Sequence, residues 1–83
     1  MKTITAIFVE DEEPGIISLQ EKLARNCPLV SIIGLCRNAY EAIEMIPAKK
    51  PDLVFLDINL GNLNGFDVLA HLEHFESEVI FTT

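Results

Sequence analysis

Residues 53–57 read L-V-F-L-D, a run of four apolar residues that ends in an acid. A short continuous apolar run is typical of a parallel strand that is covered on both faces of its sheet. A second run, I-F-V at residues 7–9, leads directly into the acids E-D-E-E at residues 10–13. Neighbouring parallel strands end at the same edge of a sheet, so the two runs, if paired, bring their acids together there.

Segments typical of strands and of helices alternate along the whole chain. Strands are expected at residues 3–9, 29–35, 53–56 and 79–81. Helices are expected from Pro14 to about residue 26, from Asn38 to Pro47 and from Phe66 to residue 72 or 73. Asn38 should be the N-cap of the second helix, and Pro47 should stop it. Residues 59–65 are expected to form a loop. This alternation predicts an α/β fold with a doubly wound parallel sheet, right-handed crossovers and helices on both faces.

The 83 residues include 6 basic and 13 acidic side chains, for a net charge of −7. The basic residues form no stripe, so we expect no direct contact with nucleic acid or with an anionic membrane. Apolar runs stay well short of the ~20 residues that span a bilayer, and the acid-rich start is not typical of a signal peptide. These features predict a cytoplasmic protein.

The cysteines and histidines give no sign of a metal or redox site. Cys27 and Cys36 lack the C-x-x-C spacing of such sites, and we expect two reduced, partly buried thiols. His71 and His74 are three residues apart, but no further nitrogen or sulfur ligand lies at a metal-binding spacing. Both histidines are therefore expected at the surface.

The acids that follow the two apolar runs predict a site for Mg²⁺ and for phosphoryl chemistry. Crowded carboxylates repel one another, and a bound divalent cation relieves that repulsion. Asp11 and Asp57 are expected to ligate the cation directly, with Glu10 holding a coordinated water. Asp57 is then a competent nucleophile toward phosphorus, and Thr83, at the end of the last strand, is the candidate hydroxyl donor to the phosphoryl oxygens.

A simpler interpretation of each acid stands beside this one. Glu12 and Glu13 are expected merely to begin a helix, whose N-terminal end favours negative charge. Asp57 taken alone is equally compatible with a solvated loop residue after a buried strand. The joint pattern is more specific than either half. An acidic pair follows the first strand, Asp57 follows the third, a glycine lies eight residues beyond it, and a hydroxyl residue follows the fourth strand.

The motifs, in this order and spacing, resemble the receiver domain of two-component response regulators. They are I-F-V-E-D-E-E at residues 7–13, A-Y-E-A-I at 39–43, P-D-L-V-F-L-D-I-N-L at 51–60, N-G-F-D-V-L at 64–69 and V-I-F-T-T at 79–83. The resemblance covers the whole chain and implies a flavodoxin-like, CheY-like receiver fold. That fold has five strands and five helices, so residues 1–83 are expected to form a receiver domain truncated after the fourth strand, without the last helix, strand and helix.

Carried over by position, the resemblance implies a role for each candidate residue. Asp57 accepts a phosphoryl group from a sensor histidine kinase, Glu10 and Asp11 are the acid pair that binds Mg²⁺, the Asn59 backbone carbonyl is a further metal ligand, and Thr83 is the switch hydroxyl. The protein would be a bacterial phosphorelay component that switches an output domain. Its chemistry would be limited to its own phosphorylation and dephosphorylation, so it would not be an enzyme in the usual sense.

Two details refine the resemblance. Gly61 stands where the family often has a proline, which should loosen the loop without removing a ligand. The opening V-E-D-E-E at residues 9–13 and the ending V-I-F-T-T resemble receivers of the LytTR (LytR/AlgR) type, whose output domain binds DNA and regulates transcription. Such an output domain is absent from these 83 residues.

Truncation would also affect association. We expect an exposed strand edge at residues 79–81 and exposed apolar faces around Ile7 and Phe55, which together favour homo-oligomers. Two other functions stay open: an inert structural or association fragment, and an aspartyl phosphohydrolase that depends on Mg²⁺. The phosphohydrolase would use residues 57–59 as a D-x-D motif, but Asn59 stands where that motif has its second acid.

Overall fold

The computed structural model describes residues 3–61, 63–72 and 76–82, and of Leu63 only the backbone. In chain order the elements of these residues are β1 (Ile4–Val9), α1 (Glu13–Asn26), β2 (Val30–Cys36), α2 (Ala39–Lys49), β3 (Leu53–Leu56), β4 (Asn59–Leu60), β5 (Leu63–Asn64), α3 (Gly65–Ala70) and β6 (Glu78–Phe81). The predicted strands and helices are therefore present; β3 has the predicted bounds, and the ends of the other elements shift by at most three residues.

Four strands form one parallel sheet in the order β2-β1-β3-β6. β1 lies between β2 and β3, and its last residue, Val9, is in register with Cys36 on one side and Leu56 on the other. The two apolar runs of the sequence are thus adjacent parallel strands, as predicted. Every strand of this sheet ends at the same edge, which we call the carboxyl edge.

Side chains of β1 and β3 alternate between two cores. Ile7, Val9 and Val54 pack with α2 and α3 on one face of the sheet. Phe8 and Phe55 pack with α1 on the other face, where their rings meet edge to face at 6.3 Å. Burial on both faces explains why these strands are continuous apolar runs and confirms the doubly wound arrangement.

The expectation of exposed apolar faces around Ile7 and Phe55 is wrong. Ile7 is 0% exposed and Phe55 is 6% exposed, because α2 and α1 already cover them. The expected exposure along the last strand is found instead at Ile80 and Phe81, which are 46% and 40% exposed. Within the described residues β6 pairs with β3 alone, so β6 is an outer strand of the sheet.

The prediction that Pro47 stops the second helix is also wrong. α2 continues to Lys49, and the N–H of Lys50 still donates to Ile46 O at 2.9 Å. Proline removes only its own N–H from the helix, and here that loss falls in the final turn. The helix ends where Lys50 adopts a left-handed conformation, with φ +47°, immediately before Pro51.

The segment predicted as a loop at residues 59–65 contains a small hairpin. β4 and β5 pair antiparallel, with Asn59 opposite Asn64. Gly61 turns the chain with φ +78°, a value that proline cannot adopt. Glycine at this position therefore serves a tight turn, where the sequence suggested only a looser loop.

The third helix begins one residue earlier than predicted and is shorter. Asn64 and Asp67 form a reciprocal capping box, in which each side chain accepts the other residue's N–H, at 2.9 and 2.8 Å. α3 ends at Ala70, and Glu73, one of its predicted ends, lies outside the described residues. The cap fixes the start of the helix at Gly65.

The remaining predictions concern the thiols and the histidines. Both cysteines are free thiols, but Cys36 is fully buried and Cys27 is exposed, so neither is partly buried as expected. His71 is exposed, and His74 lies outside the described residues. In the part of the chain that the structure covers, no helix is both long and apolar enough to cross a membrane.

Loss of the α2 cap gives a first test of this fold. Asn38 accepts the N–H of Glu41 at 2.9 Å, as the sequence predicts. We expect Asn38→Ala to lower the free energy of unfolding by about 1 kcal/mol, which lowers Tm by roughly 4–8 °C. Asn38→Asp keeps an acceptor oxygen and should retain the parent Tm in thermal unfolding followed by circular dichroism. Equal destabilisation by both variants would contradict the assigned cap.

Candidate metal centre

The ladder of hydrogen bonds continues past the ends of β1 and β3 and fixes the acids at the carboxyl edge. The N–H of Glu10 donates to Cys36 O at 2.9 Å, and the N–H of Asp57 donates to Val9 O at 3.1 Å. Glu10, Asp11 and Asp57 each place a carboxylate oxygen within 4.8 Å of the others. The acidic cluster expected from the sequence is therefore formed.

The three acids differ in their exposure to solvent. Glu10 and Asp57 are each 8% exposed, while Asp11 is exposed and opens the cluster to solvent. Asp57 is accordingly not the solvated loop residue of the simpler interpretation. Glu12 and Glu13 do begin a helix, as expected: Glu12 is the N-cap of α1 and Glu13 is its first residue.

The electrostatics of the cluster are strained without a cation. Burial, followed by hydrogen bonding to the Asp57 carboxyl, raises the pKa of Glu10 from 4.5 to about 7. The backbone N–H groups of Asp11 and Glu12 donate to Glu10 Oε2 at 3.1 and 3.3 Å. The hydrogen bond from Glu12 lowers the pKa of Glu10, but it only partly offsets burial and the interactions with Asp57. At neutral pH the cluster is therefore poised to hold either a proton or a cation.

The donors fit a hard divalent cation. Mg²⁺ prefers oxygen ligands and commonly takes one or two carboxylates together with water and phosphate oxygens. Glu10, Asp11 and Asp57 supply such oxygens from both neighbouring strands, and the exposed position of Asp11 leaves access for water or a phosphate. A bound cation would favour ionised Glu10 and so return its pKa toward the ordinary range.

Asn59 lies next to this cluster. Its N–H donates to Asp57 Oδ1 at 3.0 Å, which orients the Asp57 carboxylate. Its proposed role as a carbonyl ligand stays a prediction. The segment that follows Asp57 is also tied at its far end, because the N–H of Gly65 donates to Ile58 O at 2.8 Å.

Two glycines give the acids the space they occupy. A Cβ on Gly15 would lie 2.7 Å from Glu10 Oε1, and a Cβ on Gly65 would lie 3.0 Å from Asp57 O. Sequence reasoning noted the glycine eight residues after Asp57 without assigning it a role, and it missed Gly15. The sequence signal for Gly15 was its position in the first turn of the helix that follows the acidic pair.

The last strand reaches the same edge. The N–H of Thr82 donates to Leu56 O at 3.0 Å, one residue before Asp57. Thr82 Oγ1 is buried and has no hydrogen-bond partner among the residues that the structure describes. Thr83, the predicted switch hydroxyl, lies outside the described residues, so its role stays a prediction.

A parallel α/β sheet with acids clustered at its carboxyl edge defines a class of proteins that bind ligands at that edge. Residues 7–83 match the family described as the response regulator receiver domain. The chain therefore belongs to the response regulator receiver family, a module of two-component signalling.

Individual relatives agree with this assignment. A response regulatory protein of Shewanella oneidensis is 39% identical over 70 residues, which are 84% of this chain and 29% of that protein. Protein-glutamate methylesterase/protein-glutamine glutaminase 2 of Vibrio vulnificus is 35% identical over 66 residues, or 80% of this chain and 19% of that protein. The crystal structure of the response regulator domain of Thermotoga maritima CheB superposes with a TM-score of 0.80 at 25% identity, covering 96% of this chain and 60% of that one.

Family membership carries general properties with it. Receiver domains imply a histidine kinase partner and an output domain, and they generally bind Mg²⁺ at an acidic pocket. They are in general not enzymes, and the methylesterase activity of some relatives belongs to the full-length proteins. This chain spans about a third or less of the length of the first curated relatives that it matches.

The raised pKa of Glu10 predicts how stability depends on pH. Glu10 binds its proton more tightly in the folded chain than in the unfolded chain, so its contribution to stability is full below about pH 4.5 and is lost as the pH rises through about 7. For chain freed of metal by a chelator, we expect this loss to be on the order of 2 kcal/mol, or roughly 10 °C in Tm. Saturating Mg²⁺ should restore Tm above neutrality.

Asp57→Asn provides the comparison for this pH dependence. The variant removes the carboxylate that helps to raise the pKa of Glu10. The difference in Tm between parent and variant should therefore grow in favour of the variant from about pH 5 to about pH 7.5. Parallel curves over that interval would show that the two carboxylates do not interact as described.

Gly65→Ala tests the close approach behind Asp57. The added Cβ would lie 3.0 Å from Asp57 O and 3.2 Å from Ile58 Cα. Both are backbone atoms, so no change of side-chain rotamer can relieve the contact. We expect roughly ten-fold weaker Mg²⁺ affinity in isothermal titration calorimetry, because the support of a ligand is displaced. Gly61→Asn is the matched control, since a Cβ at position 61 would have no atom of the described residues within 4 Å and asparagine tolerates the left-handed turn. The same loss of affinity in both variants would contradict a local effect.

Proposed function

We propose that Asp57 accepts a phosphoryl group from a sensor histidine kinase, with Mg²⁺ held by Glu10, Asp11, Asp57 and the Asn59 carbonyl. The observation that carries this proposal is the convergence of three carboxylates, within 4.8 Å of one another, around the nearly buried Asp57. Residues 1–83 are then the phosphate-accepting part of a receiver domain in the cytoplasm, whose last helix, strand and helix are not among them.

The proposed reaction is an in-line displacement at phosphorus. A carboxylate oxygen of Asp57 forms the new O–P bond while the P–N bond to the kinase histidine breaks, and the bonding electrons leave with the imidazole. The metal supplies charge neutralisation at the phosphoryl oxygens when it is bound. This chain's own contribution is position: the Asn59 N–H holds one Asp57 oxygen, and the ladder bond to Val9 O fixes the Asp57 backbone.

Phosphorylation would act as a switch by adding about 1.5 to 2 negative charges at an edge already rich in acids. The hydroxyl of Thr83 is proposed to move toward the new phosphoryl group. The link from the Thr82 N–H to Leu56 O supports this route, because it joins the end of β6 to the residue before Asp57. A change at Asp57 would thus reach the end of β6 through one hydrogen bond.

The output domain is proposed to be a LytTR-type DNA-binding domain that regulates transcription. The support is the V-E-D-E-E opening and the V-I-F-T-T ending of the sequence. Association of two copies through β6 is proposed as well, supported by the exposure of Ile80 and Phe81. That exposure also favours the second candidate function, an association module in which the acids are inert.

Intact-mass spectrometry separates the two functions. The chain is incubated with Mg²⁺ and acetyl phosphate, a small phosphoryl donor, and Asp57→Asn is treated in parallel. We expect one added phosphoryl group on the parent and none on the variant, and no addition when Mg²⁺ is chelated.

The contrary outcome is equally clear. An unmodified parent with a well-folded circular dichroism spectrum would overturn phosphoryl acceptance by this chain. If the parent were then oligomeric in light scattering and Asp57→Asn left that state unchanged, the association module would be the better account.

A further inference from the structure

An ion pair between Arg37 and Glu13 lies at the carboxyl edge of the sheet, the edge that also holds the acidic cluster. Arg37 Nη2 lies 2.9 Å from Glu13 Oε2. Glu13 begins α1 on one face of the sheet, while Arg37 precedes α2 on the other face, so the pair crosses the carboxyl edge. Arg37 also directly follows Cys36, whose carbonyl accepts the N–H of Glu10. The arginine is therefore joined through the backbone to the first acid of the cluster.

The start of α2 fixes the backbone from which the arginine side chain extends. The N–H of Arg37 donates to Glu41 Oε1 at 2.8 Å, and the N–H of Glu41 donates to Asn38 Oδ1 at 2.9 Å. The main chain of Arg37 is thus anchored to the helix cap and to the sheet. An exchange of ion-pair partner by Arg37 would therefore involve rotation of its half-exposed side chain.

Positive charge is scarce at the carboxyl edge. Among the described residues, Arg37 is the one lysine or arginine placed there. The others, Lys22 and Arg25 near the end of α1 and Lys49 and Lys50 at the end of α2, precede strands and lie toward the opposite edge. An anionic phosphoryl donor that approaches the acids meets repulsion from several carboxylates, and a single cation there has a large effect on its local concentration.

The ion pair itself contributes little to the fold. The two side chains are 50% and 59% exposed. Exposed pairs of this kind contribute little to folding stability, so Arg37 can exchange Glu13 for another anion at small cost. The planar guanidinium also matches the spacing of phosphate oxygens better than an ammonium does.

We propose that Arg37 attracts and orients the anionic phosphoryl donor at Asp57, and that Glu13 competes with the donor for the guanidinium. The inference rests on the proposed function, because it concerns the donor for the same transfer. Arg37 would then set the rate with which negatively charged donors react, while the bond-forming oxygen remains that of Asp57.

Charge reversal at Arg37 tests the inference against a matched control. Arg25 is equally suited to reversal, since it forms an exposed ion pair with Glu21 at 3.8 Å. It lies 12 residues beyond Glu13 on α1, about 18 Å along the axis, which is roughly two Debye lengths at physiological salt. Arg37→Glu and Arg25→Glu therefore change the net charge equally, but only the first does so beside the cluster.

The measured quantity is the initial rate of modification by acetyl phosphate as a function of donor concentration, at saturating Mg²⁺. At about 0.1 M salt we expect Arg37→Glu to lower the slope roughly three- to five-fold and Arg25→Glu to leave it within about 1.5-fold. At about 1 M salt the Arg37→Glu rate should rise to within about 1.5-fold of the parent rate. Calorimetry with Mg²⁺ alone checks that the parent and both variants are saturated with the metal at the concentration used.

A second pair of variants tests the competition by Glu13. Glu13→Gln releases Arg37 and should raise the low-salt slope about two-fold, while Glu21→Gln, the equivalent change at the Arg25 pair, should not. Equal slopes for Arg37→Glu and Arg25→Glu at all salt concentrations would overturn the inference, as would a deficit that high salt does not relieve. A parent chain that takes up no phosphoryl group would instead overturn the proposed function, and this inference with it.

Discussion

The parallel register of β1 against β3 is the constraint on which the site depends. Val9 pairs with Leu56, and the ladder continues one step further to the N–H of Asp57. A slip of one residue would turn Asp57 toward the opposite face and separate it from Glu10. The register is held in turn by the two cores, because each face of β1 and β3 is buried under a different helix. Packing on the two faces of the sheet therefore determines the distance between the carboxylates.

Much of this arrangement was predictable because it depends on local pattern. The apolar runs at residues 7–9 and 53–56 predict buried parallel strands, and the acids that follow them predict the cluster. The cap at Asn38 was predictable for the same reason, since its partner Glu41 is only three residues away. The family resemblance was also confirmed, because the motifs keep their order over almost the whole chain.

The wrong predictions and the missed features share a cause. Rules based on neighbouring residues in the sequence do not include contacts with other parts of the fold. Pro47 is tolerated because only its own N–H is lost, near the end of a helix that packs on the sheet. The hairpin after Asp57 depends on a left-handed glycine and on burial of Leu60, which is 6% exposed. The clearance at Gly15 and the raised pKa of Glu10 arise from contacts across the fold, which no sequence pattern records.

The hairpin after Asp57 has an entropic consequence for ligand binding. Two hydrogen bonds hold it in place, from the Asn59 N–H to the Asp57 carboxylate and from the Gly65 N–H to Ile58 O. Burial of Leu60 in the core also stabilises it. Ordering a flexible residue costs about 1–2 kcal/mol of backbone entropy, and folding has already placed Ile58, Asn59 and Leu60. A ligand that binds beside Asp57 would consequently meet these three residues already in place, and its affinity would not be reduced by the entropy of ordering them.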